Sequence, residues 1–296
     1  MSSCAELLDR LEPEGHVVQL YGDDDRLLTQ NVGRFLSEGL KRGDGLIVIA
    51  TPEHRGTLAR HLSQERNYSQ AVLEGRLVFH DAEVTLGRFM VAGNPDPERF
   101  ASVVGEALRG VQARAVHTGA RAYGEMVGLL WKAGEYSAAI RVEELWNELL
   151  ESNDVSLFCG YPIDIFSSDF QADKVDALLC AHTHLLPLNT ALEGALNRAM
   201  DEVLGDRVDD LRRLIQANHR PAWAVIPKPE AIILWLRNNL PGSAERILDR
   251  ARQRAEIESD IEVAIAADWP GLEESGNSVE VRDPFCPRVP LGSREP

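Results

Sequence analysis

Three consecutive carboxylates, Asp23-Asp24-Asp25, follow the apolar run His16–Tyr21 (HVVQLY) and a single glycine. A phosphate-binding loop at that position needs converging backbone N–H groups and a lysine. Carboxylates there repel a triphosphate, and their chemistry is instead that of an acidic helix cap or a cation or amine site. A second unusual carboxylate is Glu125, set in the apolar run Arg121–Val127 (RAYGEMV). Buried there, it needs a partner or a proton. Arg121 is a candidate partner, and Gly124 leaves room for close approach. The third pattern is Cys180-Ala-His182-Thr-His184. Alternate histidines on a strand share a face, so Cys180, His182 and His184 are weak metal-ligand candidates, with Cys159 or His80 completing the set. The competing reading is a histidine pair that closes the sheet and hydrogen-bonds locally. No GxSxG or HExxH motif is present, so hydrolase chemistry finds little support.

The elements that must position these residues are legible. Short apolar runs at His16–Tyr21, Leu46–Ala50, Arg76–His80, Arg121–Val127 and Val155–Gly160 read as buried strands. Helical spacing fills the gaps, as in Asp25–Lys41 with Leu28, Val32, Phe35, Leu36 and Leu40 on one face and Gly43 at its end. Thr51-Pro52-Glu53 and Asp96-Pro97-Glu98 carry the cap, proline and acid of a helix start. Strands alternating with helices predict an α/β fold, a parallel sheet flanked by helices. In such a sheet ligands sit beyond the carboxyl ends of the strands. That rule selects Tyr21, Asp23, Glu53, His54, Asp81, Glu83, Glu125, Met126 and Tyr161 as candidate ligand-binding residues. Met90, Trp131 and Trp146 are either an apolar sensor pocket or simply core.

Beyond about residue 187 the character changes to helices at Asn189–Leu204, Arg207–Ala217, Pro229–Leu240 and Ser243–Glu258, broken at Arg220-Pro221 and Pro241-Gly242. The expected division is an N-terminal lead (1–13), an α/β domain (14–187), a helical extension (188–265) and a disordered tail (266–296). The chain has 296 residues, 44% of them hydrophobic, enough for one large or two ordinary domains. Lys and Arg number 31 against 47 Asp and Glu, a net charge of −16, which disfavours direct nucleic-acid or anionic-membrane partners. Four scattered cysteines without a CxxC pair suit a reducing compartment. With neither a secretory signal nor a bilayer-spanning run, the expected location is the cytoplasm.

The string HVVQLYGDDDRLLTQNVGRFLSEGLKRGDGLIVIATPEHRGTL, followed by GRLVFHDAEVTLGRFMVAGNPDPERF, RAYGEMVGLLWKAGEYSAAIRVEELWNELL, VSLFCGYPIDIF and CAHTHLLP, resembles the MEDS domain, the sensory domain of methanogen and methylotroph DcmR-type regulators. The resemblance implies a degenerate relative of the KaiC/RecA-type core whose P-loop is lost. It implies a non-enzymatic sensory module in signal transduction, without cofactor, that binds a small organic ligand or a signalling partner protein. The alternative is a metal-dependent hydrolase or a residual nucleotide-binding enzyme built on Glu125, His182 and His184.

Overall fold

The computed structural model describes residues 7, 8, 11, 15–117, 119–188, 191–218 and 225–268. Its first two thirds alternate strands and helices. Strand β1 (His16–Leu20) leads to α1 (Arg26–Arg42), β2 (Gly45–Ala50), α2 (Pro52–Leu62), α3 (Tyr68–Leu73), β3 (Leu77–Asp81) and α4 (Ala82–Phe89). A small hairpin, β4 (Met90–Val91) with β5 (Asn94–Pro95), precedes α5 (Pro97–Phe100), a π-helical turn at Ala101–Gly105 and α6 (Glu106–Gln112). Then come β6 (Ala120–Gly124), α7 (Met126–Lys132), α8 (Tyr136–Leu150), β7 (Val155–Tyr161), α9 (Ala172–Cys180) and β8 (His184–Leu185). The main sheet has six parallel strands in the order β3-β2-β6-β7-β1-β8. All five sequence-predicted strands are present within one to three residues.

Alternation along each strand divides the core. Val17, Leu46, Val48, Tyr123 and Phe158 face one side, against Leu28, Phe35 and Leu36 of α1 and Leu58 and Leu62 of α2. Val18, Ile47, Ile49, Leu157 and Cys159 face the other, against Phe89, Phe100, Val104, Trp131 and Trp146. Burial on both faces explains why these strands read as continuous apolar runs. The caps behave as their residue types dictate. Thr51 accepts from the backbone N–H of His54, Asp81 from Val84 and Asp96 from Arg99. Gly43 ends α1 in the left-handed conformation, φ 82°. Trp131 and Trp146 are core, edge-on to Tyr161 and Phe100, and Met90 is half-buried in the hairpin.

The strand at Arg121–Val127 stops earlier than its composition suggests. β6 ends at Gly124 and α7 begins at Met126, so Glu125 stands in the turn at the strand's carboxyl end. An added Cβ at Gly124 would lie 3.8 Å from the Trp146 ring, an ordinary contact, so close approach is not what that glycine provides. The close approach falls at Gly128, where a Cβ would meet the Gly160 carbonyl oxygen at 2.8 Å. A side chain there would push α7 off the end of β7.

Helices α10 (Leu192–Leu204), α11 (Val208–Asn218), α12 (Lys228–Asn239) and α13 (Pro241–Asp268) complete the described chain. Residues 1–256 form one compact unit, and 257–296 a second. Leu192, Leu196, Met200, Ile233, Leu236 and Ile247 share the core that holds Val18 and Cys159. The expected break at Arg220-Pro221 and most of the expected lead and tail lie outside the described residues, although 266–268 end α13. Pro241 opens α13 rather than only ending α12, as a proline tolerates at a first helical position. Among the described residues no helix is long and apolar enough to cross a membrane.

Glu230 on α12 is 1% exposed. One of its oxygens accepts from the Leu188 N–H at 3.0 Å, and the other has no partner. Burial raises its carboxyl from the ordinary 4.5 to about 7, against the opposing pull of the backbone hydrogen bonds. An acid raised in this way favours the folded state when protonated, so its contribution is complete below pH 4.5 and fades as pH rises through 7. Urea denaturation should show the wild type losing roughly 2 kcal/mol between pH 5 and pH 8 relative to Glu230→Gln. Parallel profiles would refute the assignment.

Candidate functional site

The carboxyl ends of β1, β2 and β6 open into a crevice of about 460 Å³. Its floor is built by three local structures. Thr51 caps α2 just past β2, which places His54 in the first turn of α2. Glu125 follows β6, its own N–H held by the Ile49 carbonyl at 3.0 Å. Asp25 precedes α1. The His54 imidazole joins the other two: Nδ1–H donates to Glu125 Oε1, and Nε2–H donates to Asp25 Oδ2 at 2.7 Å. Tyr123 Oη–H also donates to Glu125 Oε1, at 2.6 Å, and the Thr51 N–H donates to Oε2, at 2.6 Å.

Carboxylate oxygens accept, so two of them facing the two ring nitrogens require a proton on each. The ring is therefore an imidazolium. The Glu125 bond is the main cause that lifts His54 to about 9, and burial opposes it. Burial, with Glu125 beside each, pushes the Tyr21 and Tyr123 phenols up. The walls carry Asp23, Asp25, Glu53, Glu125, Asp164 and Asp169 against Lys132 and the His54 ring. Asp164 and Asp169 are already paired, with Arg252 at 3.1 Å and Lys174 at 2.6 Å. Asp23 and Glu53 have no ion-pair partner among the described residues. Leu129, Pro162 and Ile163 supply the apolar part of the wall.

The family described as MEthanogen/methylotroph, DcmR Sensory domain (MEDS) matches residues 15–183, more than half of the chain. The chain belongs to the MEDS family. No curated protein matches it.

Of the nine residues selected at strand exits, Tyr21, Asp23, Glu53, His54 and Glu125 line the crevice of this MEDS domain. The other four lie elsewhere. Met126 and Tyr161 are fully buried in the core. Asp81 caps α4 and faces Arg55 at 3.7 Å, and Glu83 lies in the first turn of that helix. Arg121 does not pair with Glu125. Arg121 is the second residue of β6 and Glu125 follows its last, so about 13 Å of strand separates them. Arg121 instead lies over the Phe35 ring and reaches Asp44 at 3.2 Å and the Phe35 carbonyl at 3.0 Å. Asp25, Asp164 and Lys132 join the crevice without having been singled out individually, although Asp25 belongs to the acidic run.

The Cys180-His182-His184 set is dispersed. Strand β8 begins only at His184, so the two histidines do not alternate on one strand. Cys180 is exposed at the end of α9. His184 Nδ1 lies 3.1 Å from the Thr183 hydroxyl. His182 is buried beside Glu143, 3.3 Å away, and does not line the crevice. Around Glu143 a second polar cluster forms with His16, Cys159 and Tyr161. Burial opposes ionisation of Glu143, but the neighbouring imidazoles of His182 and His16 outweigh it and hold the carboxyl below its usual range. Burial and then His182 lower His16, and burial with Glu143 nearby raises the Cys159 thiol.

Proposed function

We propose that this MEDS domain is a non-enzymatic sensory module whose strand-exit crevice takes a small organic cation, an alkylammonium or similar amine. The observation that carries the reading is a pair of exposed carboxylates, Asp23 and Glu53, with no ion-pair partner among the described residues, at a crevice whose floor is the Asp25–His54–Glu125 bridge. An ammonium group satisfies those carboxylates, and Leu129, Pro162 and Ile163 accept a short carbon chain. The acidic turn where a phosphate loop would stand, together with the sheet order, supports the further reading of a RecA/KaiC-like core that no longer grips triphosphate. A non-enzymatic role also suits His54, since an imidazolium held at both nitrogens offers no lone pair to act as a base. Binding alters signalling only if it favours one arrangement of the chain over another.

Thermal denaturation with a series of small alkylammonium ions, matched against isosteric neutral alcohols and carboxylates, tests the reading. Amines should stabilise by about 2.7 kcal/mol at a hundredfold excess over Kd. The double variant Asp23→Asn, Glu53→Gln should bind at least about tenfold more weakly while its ligand-free transition stays in place. Stabilisation by carboxylates or neutral lipophiles instead of amines overturns the charge selection. No response to any small molecule transfers the role to a partner protein.

A further inference from the structure

We propose that His16, Glu143, Cys159 and His182 form a closed, buried site for one zinc-class divalent metal ion. The four come from separate elements. His16 opens β1, Cys159 lies in β7, Glu143 projects from the buried face of α8, and His182 precedes β8. None of them lines the crevice, so the proposal stands apart from the amine reading. Their ligand atoms all lie within 4.8 Å of one another. His16 Nε2 is 3.3 Å from Cys159 Sγ and 3.3 Å from Glu143 Oε2. His182 Nε2 is 3.3 Å from Glu143 Oε1, and Cys159 Sγ is 3.5 Å from Glu143 Oε2. Zinc–nitrogen, –oxygen and –sulfur bonds in a tetrahedron place neighbouring ligand atoms about 3.3–3.8 Å apart.

The hydrogen bonds behind the ligands fix which atoms face inward. The Asn147 amide N–H donates to the Ala181 carbonyl at 3.0 Å, which turns its oxygen toward His16. That oxygen accepts from His16 Nδ1–H at 2.8 Å. The Leu178 carbonyl accepts from His182 Nδ1–H at 2.7 Å. Each ring is therefore held by its Nδ1, leaving Nε2 toward the centre, the arrangement that outer partners impose on metal-bound histidines. His182 Nε2 is buried, points into the cluster 3.3 Å from Glu143 Oε1, and has no hydrogen bond of normal geometry. Tyr161 Oη–H, donating to Glu143 Oε1 at 2.7 Å, orients the carboxylate. One thiolate and one carboxylate neutralise a divalent ion, which removes the net charge that burial penalises. Four protein ligands leave no open position, so the ion has a structural role. It fastens β1, β7, α8 and the entry to β8 to one another.

The rival occupant is a proton shared between His182 and Glu143, and metal content separates the two. The full chain, purified without a histidine tag, should carry about one zinc per molecule by elemental analysis. Produced with Co²⁺ replacing zinc, it should show a thiolate-to-cobalt charge-transfer band and the intense visible bands of tetrahedral cobalt. Cys159→Ser should lose the charge-transfer band. Asn147→Ala, which removes the acceptor behind His16 and the donor to the Ala181 carbonyl but none of the four ligands, should weaken metal affinity about 10–100-fold with the helical circular dichroism retained. Protein that carries less than a tenth of an equivalent from both media, with no thiolate band, overturns the proposal. A charge-transfer band that survives Cys159→Ser does the same, because the sulfur then comes from another cysteine.

Discussion

Glu125→Ala is expected to cost the fold about 3–5 kcal/mol, because it leaves a buried charge and its donors unmatched. His54 keeps only Asp25 as a counter-charge, and Tyr123 Oη–H and the Thr51 N–H lose their acceptor. Glu125→Gln keeps the shape and should cost less, while removing the main cause of the raised His54 value. The pH dependence identifies the mechanism. In the wild type His54 rises from 6.5 to about 9. A base raised in this way stabilises the fold fully below pH 6.5, and that contribution disappears as pH climbs through 9. Urea denaturation of wild type and Glu125→Gln at pH 6 and pH 9.5 should therefore show their stabilities converging at the higher pH. A gap of constant size at both values would mean that the imidazolium bridge contributes nothing.

The sequence makes some of this site legible and hides the rest for a physical reason. Glu125 stands out because a carboxylate in an apolar run is costly, and Thr51, Gly43 and Asp96 stand out because cap chemistry is local. The partner of Glu125 is not local. His54 lies 71 positions away and reads on its own as an ordinary first-turn residue. Arg121, the candidate partner close in sequence, sits near the start of β6 and reaches Asp44, while Glu125 stands past the strand's other end. The buried cluster left a fainter mark. Ala139, Val142, Trp146 and Leu150 form a helical stripe, and Glu143 lies within it. A carboxylate on that stripe, with His16 opening an apolar strand and Cys159 inside another, was a signal spread over three distant segments. The hairpin and β8 are two-residue strands, too short for any periodicity to register.

The family match ends at residue 183, and a chain cut near that boundary is expected to fail to fold. Leu192, Leu196, Met200, Ile232, Ile233, Leu236, Ile247 and Leu248 are all buried in the core shared with β1 and β7. Each such side chain contributes about 1.5–3 kcal/mol by burial, a gross loss on the scale of the roughly 5–15 kcal/mol net that holds a typical domain folded. Polar contacts point the same way. The Arg237 guanidinium on α12 donates to the carbonyls of Ile165, Phe166 and Phe170, the segment that leaves β7. Val225 pairs with the β8 edge, accepting from the Leu185 N–H and donating to the Thr183 carbonyl, each at 2.9 Å. A chain ending after Leu188 should thus be insoluble, or soluble with helical far-UV and lost near-UV circular dichroism. A chain ending after Glu256 keeps the whole first compact unit and should retain a cooperative transition. Native near-UV signal and cooperative unfolding in the 188-residue chain would show that the α/β part is self-sufficient, and that the helices after it cover the core without being needed to form it.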